Sequence, residues 1–201
     1  MRIVGGNLKG RSLAAPDGSN TRPTSDRVRE AIFNILAHGI PGFAIEDARI
    51  LDLFAGTGAL GFEALSRGAR HCLFIDESAE ARGLIRRNAD ALGLIGRCKI
   101  WRRDAARLGR NQPQPPYDLV FADPPYGKGL GERALASLVD GGWINAESIV
   151  VLEESERSEI PCPASLIEFD RRGYGDTVVR FYRPNSRSMS DSLSSIQVGR
   201  P

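Results

Sequence analysis

The sequence predicts an α/β protein with a mostly parallel, seven-stranded sheet that an antiparallel C-terminal hairpin closes. Three observations support this. Short apolar runs, hydrophobic along their whole length, alternate with segments of helical spacing, which is typical of parallel strands buried between helices. A glycine-rich turn separates one of these runs from the helical segment that follows it. The last two runs flank a turn containing glycine, the usual pattern of a β-hairpin.

The N-terminal part begins with a predicted small hairpin at 1–15, MRIVGGNLKGRSLAA, around a Gly-Gly-Asn turn signal. The next segment, 22–36, carries apolar residues at helical spacing, and Thr24 or Ser25 can cap the start of that helix. A helix is therefore expected directly after the hairpin.

The central part alternates strand and helix. Buried strands are predicted at 48–54, 71–76, 98–103, 117–123 and 148–154. Helices are predicted at 57–68, 78–92 and 130–140. The closing hairpin is predicted to pair 164–172 with 176–183 around Gly-Tyr-Gly.

Composition and length bound the organisation of the chain. At 201 residues and 41% hydrophobic, it is expected to be one globular domain at 21–183, with an N-terminal hairpin extension at 1–20. The Ser-rich segment 184–201 is predicted to be a disordered tail. No apolar run reaches the roughly 18 residues of a membrane span, and no signal-peptide block begins the chain, so a cytoplasmic protein that binds no membrane is expected. The protein is also expected to be a monomer.

The three cysteines lie far apart and form no CxxC or Cys/His cluster. Neither a disulfide framework nor a metal site is therefore predicted. The net charge of +2 hides an uneven distribution, because the segment 82–110 holds nine Lys or Arg against two Asp. Such a run is either a solvated surface or a surface for a polyanion.

A nucleotide-type turn lies in LDLFAGTGALGFEAL, where Gly56, Gly58 and Gly61 have GxGxxG spacing between a strand and a helix. Asp76 closes the next strand, twenty residues after Gly56. Glycines let the backbone approach a ligand, and an acid at that strand end can accept hydrogen bonds from ribose hydroxyls. This pattern predicts a nucleoside cofactor at the carboxyl ends of the strands; the alternative is a purely structural turn.

Two cofactors fit such a turn. NAD needs the turn to face a pyrophosphate, whereas S-adenosylmethionine carries a cationic sulfonium and ammonium that nearby acids favour. Asp52 lies just before the turn and Asp104 follows the third strand. These acids favour S-adenosylmethionine, although Asp104 can also serve as a helix cap.

The stretch VFADPPYGKG ends the fourth predicted strand at the same edge of the sheet. Asp123 and the carbonyls of the Pro124-Pro125 pair can accept hydrogen bonds from an NH₂ group, and the Tyr126 ring can stack on a planar base. This socket predicts methylation of an exocyclic amine by in-line displacement, with positioning as the main source of rate and no metal. The alternative is an ordinary Asp-Pro-Pro turn.

The pairing edge of guanine offers two adjacent donors, N1–H and N2–H, whereas adenine offers a donor beside an acceptor. A carboxylate only accepts, so Asp123 matches guanine. The target nucleotide would have to be unpaired or flipped. An adenine-N6 methyltransferase acting on DNA or RNA stays open as an alternative, as does a more distant NAD-linked oxidoreductase or nucleotide-binding module.

The motifs RPTSDRVREAIFNIL, FAGTGALGFEALSRGA, FADPPY and GGWI, in this order, resemble the RsmD family of class I, Rossmann-like methyltransferases. The resemblance covers residues 2 to about 183 and implies transfer from S-adenosylmethionine to guanine N2 of 16S ribosomal RNA, within an assembled 30S subunit. Some relatives have Phe where this chain has Tyr126, so a role for the hydroxyl is left open.

The resemblance also implies roles for single residues. The cofactor would be held by the following residues: Asp52, Phe54, Ala55, Gly56, Thr57, Gly58, Asp76, Asp104 and Ala105, with Thr24 and Arg27 near the cofactor or the RNA. The target base would meet Asp123, Pro124, Pro125 and Tyr126. RNA phosphates would be contacted by Lys9, Arg11 and Arg22.

Overall fold

The computed structural model describes residues 1–16, 26–158 and 160–185. The strands are β1 Arg49–Leu53, β2 His71–Ile75, β3 Cys98–Trp101, β4 Leu119–Ala122, β5 Ile149–Ser155, β6 Leu166–Tyr174 and β7 Thr177–Pro184. The α-helices are α1 Asp26–His38, α2 Ala59–Ser66, α3 Ala79–Ala91 and α4 Leu130–Asp140. Two short 3₁₀ helices span Ile95–Arg97 and Ala105–Arg107. None of the helices in these ranges is long and apolar enough to cross a membrane.

The strands form one sheet in the order β3-β2-β1-β4-β5-β7-β6. Among the described strands, β7 runs in the direction opposite to the other six. The predicted fold class is confirmed. The chain moves outward from β1 through β2 to β3 and then returns to place β4 on the other side of β1. This reversal is a topological switch point, where open α/β sheets bind their ligands at the carboxyl ends of the strands.

Apolar side chains fill both faces of the sheet because the strands are buried along nearly their whole length. In β1, Ile50 belongs to the cluster that includes Phe33 of α1 and Phe62 of α2, whereas Leu51 belongs to the cluster with Leu135 of α4. Adjacent residues of a strand point to opposite faces, so continuous hydrophobic runs are needed for a sheet that is covered on both sides.

The N-terminal segment 1–16 folds back on itself through an antiparallel bridge between Arg2 and Ser12, as the hairpin prediction requires. Ile3 and Leu13 are buried in the same core cluster as α1 and α2. Glu63 and Ser66 of α2 accept hydrogen bonds from the backbone of Val4 (2.8 Å) and Leu8 (3.0 Å). The segment is therefore anchored to α2 by both apolar and polar contacts.

The closing hairpin differs in detail from the prediction. β6 continues through Tyr174, which pairs with Thr177, so the connection has two residues, Gly175 and Asp176. Gly175 has φ +65, the left-handed conformation that two-residue hairpin turns require, and glycine adopts it without steric cost. The predicted start of α1 at 22–25 and the predicted tail beyond 185 lie outside the described residues.

Candidate functional site

A cavity of about 810 Å³ lies at the switch point, at the carboxyl ends of β1, β2 and β4. Its walls include Asp52, residues 54–57, Asp76, residues 104–105 and the whole stretch 123–126. Motifs that are far apart in the sequence, the glycine-rich turn and Asp-Pro-Pro-Tyr, therefore line one space. The volume is within the range of small-molecule sites.

The glycine-rich turn is a run of left-handed backbone. Phe54 has φ 55, Gly56 φ 55 and Gly58 φ 79, so the chain reverses tightly between β1 and α2. A Cβ on Gly58 would collide with the Phe62 ring of α2, and a Cβ on Gly61 would collide with the Phe74 ring of β2. Gly58, predicted to contact the cofactor, is absent from the cavity wall and serves in close packing between α2 and the sheet.

The backbone N–H groups of this turn already have partners. Gly56 N donates to Asp76 Oδ2 (2.9 Å), Gly58 N to the Ala55 carbonyl (2.7 Å) and Gly61 N to Asp52 Oδ2 (3.0 Å). In dinucleotide-binding turns such donors face a pyrophosphate. Here these three donors are used within the protein, which argues against a phosphate at this position.

Asp52, on β1, is 2% exposed. Its side chain caps the start of α2 by accepting a hydrogen bond from Gly61 N, a role that the cap residue Gly58 cannot fill because it has no side chain. Burial raises the pKa of Asp52 to about 8; the hydrogen bond from Gly61 opposes this rise and the charge of Asp76 adds to it. The residue predicted as a carboxylate beside the cofactor thus lines the cavity as a mostly protonated group near pH 7.

Asp76 is held in one orientation by two backbone donors. Oδ2 accepts from Gly56 N (2.9 Å) and Oδ1 from Ser78 N (2.8 Å). Each carboxylate oxygen can accept a second hydrogen bond, so Asp76 keeps capacity for hydroxyl groups in the cavity.

Asp104 caps the 3₁₀ helix Ala105–Arg107 by accepting from Ala106 N (2.8 Å), and it also lines the cavity. Both roles considered for this residue from the sequence are therefore compatible with its position.

Asp123 follows β4 at the cavity wall, and the next residues leave the sheet as an irregular loop. Gly127 and Gly129 in this loop have φ +74 and +60. Tyr126 is 37% exposed, while its hydroxyl lies 3.2 Å from Thr177 Oγ1 and donates to Glu153 Oε1 (3.4 Å). Desolvation raises the pKa of Tyr126 to about 12; the Thr177 hydrogen bond opposes the rise, and Glu153 and Asp123 add to it.

Of the predicted RNA-contacting residues, Lys9 and Arg11 lie away from the cavity wall. Lys9 and Arg11 are exposed, and Arg11 donates to the Ala91 carbonyl at the end of α3 (2.6 Å). Arg27 is exposed on α1 and is not part of the cavity wall. Arg22 and Thr24 lie outside the described residues.

Sequence reasoning missed three residues near the site. Met1 lines the cavity, and its sulfur accepts a hydrogen bond from Thr57 Oγ1 (3.5 Å). Glu153 and Thr177 hold the Tyr126 hydroxyl. An acid in the last part of a buried strand, as in VVLEE, is a usable signal for Glu153; nothing in the sequence singles out Met1 or Thr177.

The cavity wall is acidic. Besides the mostly protonated Asp52, its described residues include two cations, Arg103 and Lys128, and the following five acids: Asp76, Glu77, Glu80, Asp104 and Asp123. Such a wall favours a cationic ligand over a phosphate, because like charges at short range are costly in a partly desolvated site. No group of three or more His, Cys, Asp or Glu side chains that could hold a metal ion occurs within the described ranges.

Comparison with known proteins yields a family match. A family model described as conserved hypothetical protein 95 matches residues 1–183. Ribosomal RNA small subunit methyltransferase D of Escherichia coli strain K12 is 36% identical, with 96% of this chain and 94% of that protein covered. The protein of the same name from Haemophilus influenzae is 30% identical, with 91% and 93% covered.

Solved structures are also similar to this chain in fold. Escherichia coli YhhF superposes with a TM-score of 0.78 at 33% identity, covering 92% of this chain and 98% of that one. Precorrin-6y C5,15-methyltransferase from Geobacter metallireducens superposes at 0.62 with 15% identity, covering 90% and 98%, which is a likeness of fold alone. The neighbours of this chain in fold are class I methyltransferases.

Proposed function

The chain belongs to the family described as conserved hypothetical protein 95, and we propose that it transfers a methyl group from S-adenosylmethionine to the exocyclic N2 of a guanine in 16S ribosomal RNA. The resemblance expected from the motifs is confirmed by the similarity to ribosomal RNA small subunit methyltransferase D. One observation carries the proposal: Asp123 and Tyr126 line the same cavity as the glycine-rich turn and Asp76. A base-binding socket and a ribose acceptor thus share one space.

The residues of the cavity fit S-adenosylmethionine. When bound, this cofactor supplies a methyl group on a positively charged sulfur. Asp76 has acceptor capacity left for the ribose hydroxyls, residues 54–57 border the space for the methionine part, and Asp104 with Ala105 borders the space for adenine. The acidic wall and the occupied N–H groups of the turn fit this cation better than they fit the pyrophosphate of NAD.

Asp123 acts on the target base. Its carboxylate accepts a hydrogen bond from the N2 amino group, which increases the electron density on a nitrogen whose lone pair is otherwise delocalised into the ring. Tyr126 stacks on the base, and Pro124 and Pro125 fix the backbone so that their carbonyl oxygens are held in place. The chain thus contributes orientation and polarisation for an in-line displacement, in which the N2–methyl bond would form as the sulfur–methyl bond breaks and the neutral thioether leaves, while the Asp123 carboxylate would take the proton that N2 loses.

Guanine is favoured over adenine by the donor pattern of its pairing edge. N1–H and N2–H are adjacent donors, and both can meet acceptors contributed by Asp123 and the carbonyls that follow it. Adenine would present its N1 acceptor to the same acceptors. A guanine that is unpaired or flipped out of its helix is therefore the substrate that this socket fits.

Exposed cations supply a surface for RNA. Of the nine Lys and Arg in 82–110, three are used inside the protein: Arg82 donates to the Asp76 carbonyl, Arg97 to the Leu65 carbonyl and Arg103 to the Leu108 carbonyl. The exposed remainder is Arg86, Arg87, Lys99, Arg102, Arg107 and Arg110.

We call these six residues the β3 rim, because β3 is the edge strand and α3 and the 3₁₀ helix Ala105–Arg107 flank it on opposite faces of the sheet. The exposed Lys9 and Arg11 extend the rim, since Arg11 contacts the end of α3. The rim and the N-terminal extension at 1–20 are proposed to bind RNA phosphates of the 30S subunit, with the protein acting as a monomer in the cytoplasm.

Transfer of radiolabelled methyl from S-adenosylmethionine tests the proposal. The substrates are 30S subunits, and separately free 16S RNA, from cells that lack any related enzyme; nucleosides are then released and identified by mass spectrometry. Label in N2-methylguanosine is expected. Label in N6-methyladenosine, or a thermal shift with NAD and none with S-adenosylmethionine, would overturn it.

A further inference from the structure

The Tyr126 hydroxyl has a defined place in the fold. Tyr126 lies at the cavity wall and is 37% exposed, whereas its hydroxyl oxygen contacts Glu153 and Thr177, two residues that are each 6% exposed. The distances are 3.4 Å to Glu153 Oε1 and 3.2 Å to Thr177 Oγ1. Tyr126 is thus partly accessible at the cavity while its hydroxyl contacts buried residues of the sheet.

The two partners lie on strands beside the cavity. Leu152 of β5 pairs with Ala122, the last residue of β4. Glu153 and Asp123 are the residues that directly follow this pair in their two segments. Thr177 is the first residue of β7, directly after the Gly175–Asp176 turn, and pairs with Ser155 of β5. Both partners therefore belong to the rigid sheet, on which positions are better defined than on loops.

Tyr126 itself is on a loop that needs such a support. The chain between β4 and α4 has no regular structure over 123–129, and Gly127 and Gly129 have left-handed backbone with open space beside them. Glycines permit many backbone conformations, so a ring on this loop is not held by the backbone alone. The hydroxyl is the contact that ties it to β5 and β7.

We propose that Glu153 and Thr177 are positioning residues that hold the Tyr126 ring, through its hydroxyl, in the orientation in which the target base stacks on it. The inference rests on the proposed function. It assigns the hydroxyl, which stacking itself does not use, a role in preorganisation: a base meeting a fixed ring loses less orientational freedom in the productive complex.

The hydrogen bonds suit this purpose. The phenol keeps its proton at working pH, because the pKa of Tyr126 is about 12, and so it always donates. Thr177 can either donate to the phenol oxygen or accept from it.

Single-turnover methylation of 30S subunits by Tyr126→Phe, Thr177→Val and the double variant tests the proposal. Each single change should lower the methyl-transfer rate by about tenfold, the effect of one such hydrogen bond, with cofactor affinity within twofold. The double variant should be no slower than Tyr126→Phe, because that change already removes the hydrogen bond that Thr177→Val removes, together with the one to Glu153. Thr177→Ser keeps the hydroxyl and should restore the rate. Tyr174→Phe, at a half-buried tyrosine of β6 that pairs with Thr177, is the control and should match the parent protein.

A wild-type rate in Tyr126→Phe, or independent multiplication of the two effects, would overturn the inference. Hydrogen exchange of the amides of 126–130 in the protein alone gives a readout that does not depend on methylation. Exchange should accelerate in Tyr126→Phe and Thr177→Val and not in Tyr174→Phe. Unchanged exchange in the variants would refute the positioning role of Glu153 and Thr177, whether or not any substrate is methylated. Accelerated exchange in the variants, without methylation by the parent protein, would refute the proposed function alone.

Discussion

Under the proposed function, Asp123 is the residue on which the reaction depends most directly, because it follows β4 at the cavity wall and is proposed to meet the base rather than the cofactor. Asp123→Ala is expected to reduce methyl transfer by at least about 10²-fold, the usual cost of removing a group that stabilises the transition state. Cofactor affinity should stay within a few fold, measured by calorimetry. Asp123→Asn, which keeps one carbonyl oxygen, should retain more activity than Ala. Equal loss of cofactor binding and transfer would place Asp123 at the cofactor instead.

Replacing Asp76 is expected to weaken cofactor binding, the property that replacing Asp123 should leave nearly unchanged. Its two oxygens are oriented by Gly56 and Ser78, the residue lines the cavity, and each oxygen can accept a further hydrogen bond. Asp76→Ala should weaken binding of S-adenosylmethionine by about 1–3 kcal/mol, the cost of leaving buried hydroxyl groups without partners. Asp90→Ala, which removes an exposed acid of α3, is the matched control and should bind normally. An unchanged dissociation constant for Asp76→Ala would remove this residue from the ribose site.

At the scale of elements, the start of α2 depends on a buried acid whose protonation follows pH. The folded pKa of Asp52 is about 8, whereas its usual value is 3.8. Between these values the unfolded chain has lost this proton and the folded protein still holds it. Folding is therefore favoured by this group at low pH, and that contribution declines as pH rises from about 4 to 8, by up to about 1.4 kcal/mol per pH unit.

Asp52→Asn removes this titration and keeps an oxygen that can accept from Gly61. Urea unfolding at pH 5 and at pH 8 should show the variant gaining stability relative to the parent protein as pH rises. Parallel pH profiles for the two proteins would mean that Asp52 titrates at its ordinary pKa.

Elements whose pattern is local could be predicted from the sequence. α4 was expected at 130–140 and spans Leu130–Asp140, and the strands were found within a few residues of their predicted ends. The Gly-Tyr-Gly turn was misjudged because the strand pairing extends to Tyr174, which depends on β7 rather than on local preference. Asp76 and Asp123 were found through their position after buried strands.

Contacts between distant segments could not be predicted in this way. Thr177 reaches Tyr126 across 51 positions of sequence, and Met1 reaches Thr57 across 56. Likewise, the sequence indicates an acid before the glycine turn, but the protonated state of Asp52 depends on its burial between two layers of helices. Such properties follow from tertiary packing and have no local signature.

For the whole molecule, the distribution of charge separates the proposed cofactor site from the proposed RNA surface. The charged residues of the cavity wall are mainly acids, whereas the β3 rim carries exposed cations at one edge of the sheet. An acidic interior attracts a cationic cofactor, and a basic exterior attracts phosphates, so two ligands of opposite charge can bind the same small domain.

Neutralising four residues of the rim should therefore affect RNA alone. In the quadruple variant Arg86→Gln, Arg87→Gln, Lys99→Gln and Arg102→Gln, the plot of log K against log salt for 30S binding should be less steep by about 3, since each phosphate contact contributes about 0.7 to the slope. Binding of S-adenosylmethionine should not change. Arg171→Gln with Arg172→Gln, at the opposite edge of the sheet on β6, is the control and should leave the salt slope as it is. If both variants reduce the salt slope by the same amount for each charge removed, the protein binds RNA through its cations regardless of their position, and the rim is not a docking surface.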